Sequence, residues 1–410
     1  MRVGIERAFL EGPRTGIANY AQHTICAIAA LSPSTRFSAF GRLGWRELDT
    51  LHGLCTSRAL HEVGKDGELQ ARHSRSRPLA QTLRSYSANL IVLRQARALA
   101  RTLSQIAFIY SSRGKKLDLF HAFNFRPLAD PGIPTLPVVY DLSTFRHPEF
   151  HPVDRVRWLS PLGKIIERAP CVQTISEFSK REIISYFGAP PDKIFVGPPA
   201  AAPIYSPLGE EFTARELSSL DLIYGNFFLS VGTLEPRKNL RTLIAAYSKL
   251  DLLSRTRFPL VIVGGPGWGN LRMPAEAEAL TEEGSLRWLT SISNRVLRSL
   301  YEGARLLLMP SVYEGFGMPV VEALACGTAV AFSAGSAMEE AASGVGIAID
   351  ALDVDGWAEV LRRSLDSVDH ADPIQKQQRI GRASEFSWVR SAQKVLLAYG
   401  AIASGRSRLS

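Results

Sequence analysis

The chain has 410 residues, a hydrophobic fraction of 46% and a charged fraction of 21%, values ordinary for a soluble globular protein. This length predicts two or three domains with a sizeable core. No apolar run reaches the ~18 residues of a membrane-spanning helix, and the N-terminus lacks a signal-peptide pattern, so we expect a cytoplasmic protein. Because the four cysteines are widely separated, we expect single buried thiols at Cys26, Cys55, Cys171 and Cys326.

The first 31 residues predict a strand, a glycine-bearing loop and a helix. The strand covers residues 2–5, the loop is Gly12-Pro-Arg-Thr-Gly16, and the helix covers residues 17–31. In a Rossmann-like unit such a loop follows the strand, where the backbone amide of Gly16 can approach a phosphate. A tight turn explains Gly16 equally well.

The net charge of +9 is unevenly distributed. No Asp or Glu occurs from Leu69 to Leu117, and a long helix is predicted over residues 81–104 within this stretch. One interpretation is that the basic stretch is a solvated face of the protein. The functional interpretation is that it lies on an anionic membrane surface. Nucleic acid ranks last, because no nucleic-acid motif accompanies the charge. The ten cations are Arg72, Arg75, Arg77, Arg84, Arg94, Arg97, Arg101, Arg113, Lys115 and Lys116.

Polar residues follow the next predicted strands, at residues 117–121, 137–140 and 171–174. Ligands of parallel sheets bind beyond the carboxyl ends of the strands. The polar residues at these ends are therefore site candidates: His121, Asp141 and Ser176. Ser176 is also the predicted N-cap of a helix over residues 177–187.

A Pro-, Ala- and Gly-rich stretch at residues 197–225 predicts an interdomain linker, after which the α/β pattern restarts. A strand at residues 227–231 is followed by a loop that ends in Arg237 and Lys238. A guanidinium and an ammonium beside a helix N-terminus suit a diphosphate. The alternative is a surface turn with solvated cations.

A second glycine loop follows the hydrophobic strand at residues 305–309. Glu314-Gly-Phe-Gly317 leads into a helix that starts at Pro319, contains Glu322 and stops at Gly327. Its free amides and helix dipole predict an anion site. Two carboxylates beside that site suit hydroxyl groups, which indicates a sugar and a ribose. If the two glutamates occurred alone, the preferred interpretation would be a surface-loop acid and a helix acid that the dipole stabilises.

Four strings together carry a family resemblance: EGFGMPVVEALACGT, VGTLEPRKNL, YDLSTFRHPEFHP and VQTISEFSKREIISYFGAPPDKIFVGPP. They resemble the retaining, nucleotide-sugar-dependent glycosyltransferases of group 1, or family 4. Among these, the bacterial mannosyl- and rhamnosyltransferases of lipopolysaccharide O-antigen synthesis are the most similar. The resemblance implies the α/β GT-B fold, with two facing Rossmann-like domains, a cleft between them and a C-terminal helix that crosses back. The implied domains are an acceptor domain at 1–204, a donor domain at 205–386 and the helix at 387–410.

The resemblance also implies roles for individual residues. The catalytic candidates are Glu314, Arg237, Lys238 and Asp141. The donor-binding candidates are Gly16, Gly315, Phe316, Gly317, Met318, Glu322, Ile292 and Thr233. The acceptor or sugar candidates are Tyr140, His121 and Asn124.

One position departs from the family, which has a sugar-contacting histidine where this chain has Tyr140. Three explanations stay open: the Tyr140 phenol replaces it, His147 or His151 reaches in, or the sugar contact differs. Taken alone, Tyr140 fits a buried strand end, and the two histidines fit an ordinary loop.

The implied function is transfer of a mannose- or rhamnose-type hexosyl unit, with a GDP-sugar favoured as donor and no further cofactor. The implied acceptor is an oligosaccharide or lipid-linked saccharide, and the enzyme would lie at the inner face of the plasma membrane through residues 72–116. We expect no nucleic-acid partner and no metal. Asp353-Val-Asp355 resembles a metal motif of another fold, but N-capping by Asp355 is preferred. The alternatives are a UDP-sugar transferase, a non-catalytic binding protein on the same scaffold, and a sugar-nucleotide epimerase.

Overall fold

The structure, a computed structural model, describes residues 1–7, 16–41, 44–48, 102–112, 114–269, 273–367 and 371–405. These residues form two compact units, Met1–Leu136 and Pro137–Ser410. Most of the basic stretch, and most of the helix predicted over residues 81–104, lie outside the described residues. The predicted domain division at residues 204 and 205 remains a prediction, because both sides of it belong to the second unit.

The chain is α/β, with two mostly parallel sheets, as the sequence predicted. The strands are β1 (Arg2–Glu6), β2 (Arg36–Gly41), β3 (Gly44–Glu47), β4 (Leu119–Ala122), β5 (Thr135–Val139), β6 (Val172–Thr174), β7 (Ile194–Val196), β8 (Phe228–Val231), β9 (Leu260–Val263), β10 (Leu286–Leu289), β11 (Leu306–Met309), β12 (Val330–Ser333) and β13 (Ile347–Ile349).

Helices connect these strands and cover the sheets. They are α1 (Gly16–Leu31), α2 (102–112), α3 (Ser143–Arg146), α4 (Val153–Leu159), α5 (Leu162–Arg168), α6 (Glu177–Phe187), α7 (Glu210–Ser218), α8 (Leu240–Ser248), α9 (Leu252–Arg257), α10 (Ala275–Glu282), α11 (Asn294–Gly303), α12 (Met318–Ala325), α13 (Ala337–Ala342), α14 (Val354–Asp366), α15 (Pro373–Ser384) and α16 (Trp388–Ala403). Within the described residues, no helix is both long and apolar enough to cross a bilayer.

In the first unit, β1 pairs in parallel with β2 and with β4, and the short β3 pairs antiparallel with β2. A small aromatic core of Phe40, Phe108 and Phe120 packs here, with Trp45 against it. Phe108 comes from α2, so this helix is fixed to the sheet through its buried face.

In the second unit, β5, β6 and β7 are parallel, and β8–β13 form a separate parallel sheet. The order of that sheet is β10-β9-β8-β11-β12-β13. Strands β8, β9 and β11 are almost fully buried, because helices cover both faces of a parallel sheet. Along the chain, β9 and β10 are added on one side of β8, and β11, β12 and β13 are added on its other side. The switch point of the sheet therefore lies between β8 and β11. The crevice beyond the carboxyl ends of these two strands is therefore the expected binding position.

Local capping chemistry fixes several boundaries. Helix α6 has the predicted bounds, and the Ser176 hydroxyl accepts from the Ser179 amide at 2.9 Å. The last helix crosses back as predicted, since Lys394 Nζ donates to the carbonyl of Val196 in β7 at 2.9 Å.

The stretch of residues 197–225 contains helix α7, whose Thr213 and Leu217 are fully buried, and its role as an interdomain linker stays a prediction. Two other expectations were wrong. The N-cap of α14 is Asp353, whose carboxylate accepts from the Gly356 amide at 2.9 Å, whereas Asp355 pairs with Lys249. Cys26 is disulfide-bonded, while Cys171 and Cys326 are free and buried as expected.

Candidate active site

Two loops meet at the switch point of the second sheet. The loop after β8 ends in a short 3₁₀ turn, Pro236–Lys238, and the loop after β11 leads to α12. Asn239 joins them, because its side-chain amide donates to the carbonyl of Pro310 at 3.1 Å. Asn239 has a φ of 52°, a left-handed conformation that asparagine tolerates, and this places α8 directly after the turn.

The structure brings together three of the predicted catalytic residues. Glu314 Oε2 lies 2.8 Å from Arg237 Nη1, and Glu314 Oε1 lies 2.6 Å from Lys238 Nζ. Arg237 Nη2 also lies 2.5 Å from Glu235 Oε1, and its Nη1 donates to the carbonyl of Tyr313 at 2.5 Å. We call Glu235, Arg237, Lys238 and Glu314 the charged cluster.

Burial and charge act in opposite directions on the charged cluster. Burial of the Glu314 carboxyl would raise its pKa, but the charges of Arg237 and Lys238 outweigh burial and lower the pKa to about 2. Burial would lower the pKa of Arg237, but the charges of Glu314 and Glu235 raise it above its usual value. Glu314 and Arg237 are therefore both ionised at neutral pH.

Gly315 allows this loop to approach the end of β5. A Cβ at position 315 would lie 2.5 Å from the carbonyl oxygen of Tyr140 and 2.8 Å from Cβ of Asp141. Ser176 and Ser179 donate their hydroxyls to the Gly315 carbonyl at 2.7 and 3.2 Å. A glycine is required here because any side chain would meet backbone. The Glu314 loop is thus held directly against Tyr140 and Asp141.

Asp141 and Tyr140 present different groups at this strand end. Oδ1 of Asp141 accepts from the amide and the hydroxyl of Ser143, at 2.9 and 2.7 Å. These bonds fix the carboxylate and use one of its two oxygens. The Tyr140 side chain is 7% exposed, and its carbonyl accepts from the Ser179 hydroxyl at 3.0 Å. Tyr140 therefore has the buried strand-end position that was one of the alternatives.

Helix α12 carries Glu322, and its N-terminus lies where the sequence predicts an anion site. Gly317 precedes it with a φ of 94°, in the left-handed region that favours glycine, and Met318 and Pro319 form its first turn. The hydroxyl of Tyr301 donates to Oε2 of Glu322 at 2.8 Å. Burial raises the pKa of Glu322 to about 7, although the hydrogen bond from Tyr301 acts to lower it. A carboxyl with this pKa changes its charge within the physiological range.

The remaining predicted donor residues of the second unit lie on neighbouring loops. Thr233 is in the loop after β8, and Ile292 is in the partly exposed turn before α11. Phe316 is 2% exposed and packs edge-on against Phe386, with ring centroids 5.1 Å apart. Phe316 therefore faces the core, and only its backbone is available to a ligand.

Three predicted residues belong to the first unit. Gly16 is the first residue of α1, and a Cβ there would meet nothing within 4 Å. His121 is fully buried and stacks on Phe123 with ring centroids 3.9 Å apart. Asn124 follows β4 and is partly exposed.

Sequence reasoning missed Glu235, Tyr301 and Tyr313. Glu235 is 2% exposed and holds Arg237, Tyr301 holds Glu322, and the Tyr313 carbonyl accepts from Arg237. Only Glu235 had a local signal, as an acid two residues before the arginine of the predicted diphosphate loop. The partner of Tyr301 is 21 residues away and that of Tyr313 is 76 residues away, so neither contact has a local pattern.

Among the residues that the structure describes, no group of three or more His, Cys, Asp or Glu side chains is arranged to hold a metal ion. Asp353 and Asp355 are occupied by helix capping and by Lys249.

Solved structures of GT-B glycosyltransferases share this architecture. Sucrose-phosphate synthase from Thermosynechococcus elongatus matches with a TM-score of 0.68 and 17% identity, over 98% of this chain and 99% of that one. WaaG, a glycosyltransferase involved in lipopolysaccharide biosynthesis, matches with a TM-score of 0.63 and 16% identity, over 98% and 99% of the two chains. At these identities the likeness shows the fold, which is the predicted GT-B class.

Sequence relatives define the family. The model described as "Glycosyl transferases group 1" matches residues 224–383. The O-antigen chain mannosyltransferase B of Escherichia coli is 34% identical over 261 residues, which cover 63% of this chain and 68% of that protein. The mannosyltransferase WbdA of Escherichia coli is 28% identical over 280 residues, 65% of this chain but 33% of that longer protein. The chain belongs to the group 1 glycosyl transferases, and it is a glycosyltransferase similar to mannosyltransferases.

Proposed function

We propose that the protein transfers a mannose- or rhamnose-type hexosyl unit from a GDP-sugar to a glycan or lipid-linked saccharide, with retention of anomeric configuration. The observation that carries this proposal is the charged cluster. It places two cations, at 2.6 and 2.8 Å from one carboxylate, beside the N-terminus of α12 at the switch point of a parallel sheet. A diphosphate and a sugar suit this combination of cations, amides and acid.

The leaving diphosphate is the group on which Arg237 and Lys238 act. Negative charge grows on its oxygen as the glycosidic bond breaks, and fixed cations and amides near Gly317 stabilise that charge. The acceptor hydroxyl attacks the same face that the diphosphate leaves, and the diphosphate oxygen takes the hydroxyl proton. The sugar bond to the acceptor forms as the bond to the diphosphate breaks, so the step is balanced without a redox partner.

The two glutamates have separate tasks in this proposal. Glu314 orders Arg237 and Lys238 and accepts hydrogen bonds from hydroxyls of the donor sugar. Glu322, held by Tyr301 at 2.8 Å, accepts from the ribose hydroxyls. Asp141, fixed by Ser143 against Gly315, lies where the transferred sugar and the acceptor meet.

A lipid-linked acceptor would require the enzyme to dock at an anionic membrane surface. The basic stretch of residues 72–116 supports this proposal through its charge. Helix α2 lies within that stretch and exposes apolar side chains at a spacing of three and four residues: Leu103 is 57% exposed, Ile106 46% and Tyr110 72%. Apolar residues on one helix face beside a run of cations are typical of an interfacial element.

The test is a thermal-shift screen of the purified protein with GDP, UDP, ADP, dTDP and their sugars, followed by turnover of the donor that binds. We expect GDP and GDP-mannose to raise the melting temperature, since a ligand that binds only the native state stabilises it. Release of GDP should then depend on an added saccharide acceptor. A selective rise in melting temperature with UDP would show that the donor is a UDP-sugar and not the proposed GDP-sugar. Binding without turnover of any sugar would overturn the proposed transfer reaction.

A further inference from the structure

A short segment after α3 lies beside the charged cluster and has no role in the function proposed so far. It runs from His147 to His151 and contains a 3₁₀ turn, Pro148–Phe150. The rings of His147 and Phe150 stack with centroids 5.4 Å apart, and His147 meets the edge of Tyr313 at 5.6 Å. Tyr313 is the residue whose carbonyl accepts from Arg237. One side of the segment therefore contacts the Glu314 loop.

The other side of the segment is held by the glycine-rich loop after β9. Trp268 Nε1 donates to the carbonyl of Phe150 at 2.8 Å, and the Trp268 ring lies 5.9 Å from the ring of His151. The same glycine-rich loop packs on the loop after β8, since a Cβ at Gly267 would lie 2.9 Å from the Thr233 methyl group. His151 is thus fixed between two loops that both border the charged cluster.

His151 has polar atoms that the fold does not use. Both ring nitrogens are buried, and neither has a hydrogen-bond partner among the residues that the structure describes. More than about 90% of buried polar atoms in proteins have a partner, so two unpartnered nitrogens on one ring are unusual and give His151 free hydrogen-bonding capacity. The residue as a whole is partly exposed, so it lies near the surface of this unit.

The charges around His151 restrict what it can bind. Burial lowers its pKa below the usual value, Asp141 acts to raise it, and Arg155, Arg237 and His147 act to lower it. The imidazole is therefore neutral at pH 7, with one donor and one acceptor nitrogen. A diphosphate offers acceptors only and suits the nearby cations. Hydroxyl groups donate and accept, so they can use both nitrogens of a neutral ring.

We propose that His151 binds hydroxyl groups of the transferred sugar, within the electrostatic influence of Asp141 and Arg237. It is then a donor-specificity residue contributed by the segment after α3. This inference deepens the proposed function and rests on it.

The experiment compares GDP with GDP-mannose binding by isothermal titration calorimetry in wild type and three variants. His151→Phe keeps an aromatic ring against Trp268 and removes both polar atoms. His151→Gln keeps one donor and one acceptor. His147→Phe is the matched control, because His147 lies in the same segment and its Nδ1 already has Glu149 as a partner at 3.4 Å.

We expect His151→Phe to weaken GDP-mannose binding about ten-fold, the size of one or two lost neutral hydrogen bonds, and to leave GDP binding unchanged. His151→Gln should recover part of the loss, and His147→Phe should bind both ligands like wild type. Equal weakening of GDP and GDP-mannose, or no change in either, would overturn the role of His151. A merely structural role would lower the melting temperature and affect both ligands alike. If wild type binds neither GDP nor GDP-mannose, the proposed GDP-sugar function itself fails, independently of the variants.

Discussion

Lys238 Nζ lies 2.6 Å from Oε1 of Glu314, so a cation from the loop after β8 is neutralised by an acid from the loop after β11. Arg237 shares that acid and also pairs with Glu235, and the charged cluster therefore holds two cations and two carboxylates. A diphosphate that enters this site must compete with Glu314 for both cations. The affinity for the nucleoside diphosphate product then depends on Glu314, an acid that does not touch the phosphate.

The first prediction follows from this competition. Glu314→Gln should bind GDP more tightly, by about three- to ten-fold, because one screened charge at ~4 Å is worth ~1 kcal/mol. The same variant should transfer sugar more slowly, since the cations lose the group that orders them. Calorimetry and initial rates measure the two effects. Glu359→Gln, which changes a half-exposed acid of α14, is the control. Weaker GDP binding in Glu314→Gln would show that ordering of the cations outweighs their neutralisation.

The second prediction concerns the transition state. Replacing Arg237 and Lys238 together by alanine should lower kcat by ~10²-fold or more, because negative charge on the diphosphate grows as the glycosidic bond breaks. Steady-state kinetics with saturating donor separate kcat from KM. Arg241→Ala is the matched control, since Arg241 is an exposed cation on the neighbouring helix α8. A change confined to KM would make the pair a binding clamp with no catalytic role.

Much of the fold could be predicted from the sequence, because the necessary signals are local. Helix α6 was predicted with its bounds and its cap, since Ser176 and the residues that follow it form a contiguous capping pattern. Helix α7 was missed for the opposite reason. It lies in a Pro- and Gly-rich stretch and is stabilised by distant residues: Glu302 accepts from the Thr213 hydroxyl at 2.6 Å across 89 residues.

The candidate site was predicted in part. Arg237, Lys238 and Glu314 were each found from their loops, but their pairing joins residues 76 and 77 positions apart. The contact of Gly315 with Tyr140 and Asp141 could not be predicted either, since a glycine in a loop does not reveal which backbone approaches it. Motifs give the residue types, and the topology of the parallel sheet decides which of them meet.

The third prediction is a pH dependence at Glu322, whose pKa burial raises to about 7. An ionised carboxylate accepts hydrogen bonds from ribose hydroxyls more strongly than a neutral carboxyl. The donor KM should therefore fall as the pH rises from about 6 to 8, through the pKa of the free enzyme. Tyr301→Phe removes the hydrogen bond that lowers this pKa, so the whole profile should shift to higher pH.

Glu322 variants complete this test. Glu322→Gln should give a donor KM that does not change with pH over this range, because the amide does not titrate. Glu322→Ala should raise the donor KM through loss of charge-assisted hydrogen bonds worth roughly 1.5–3 kcal/mol. An unchanged KM in the alanine variant would remove the ribose assignment.

The fourth prediction concerns stability. The carboxylate of Glu340, on α13, accepts from the backbone amides of Glu177 and Phe178 at 3.0 Å each, so it caps α6 from another part of the unit. Glu340→Ala should lower the free energy of unfolding by about 1 kcal/mol, as loss of a helix cap does. Urea denaturation followed by circular dichroism measures it. Glu278→Ala, at an exposed position on α10, is the control and should change stability much less.

The last prediction tests membrane docking. The protein should co-sediment with liposomes that contain anionic lipid at low salt, and added salt should release it, because the attraction is screened within about 8 Å at physiological ionic strength. Each cation that reaches the surface contributes about 1 kcal/mol, so removing a few of the ten should have a measurable effect. Replacing Arg94, Arg97 and Arg101 by Gln should weaken liposome binding and leave transfer to a soluble acceptor intact.

The apolar face of α2 gives this test a second arm. Tyr110→Ser removes the most exposed of its three apolar side chains, at 72% exposure, without changing the charge. If the helix inserts apolar side chains between lipid head groups, this variant should bind anionic liposomes more weakly at every salt concentration, because burial of apolar surface is not screened by salt. The arginine variant should instead lose the salt-dependent part of binding. Liposome binding that is absent at low salt, or that ignores the lipid charge, would leave the basic stretch as a solvated surface and remove the membrane proposal.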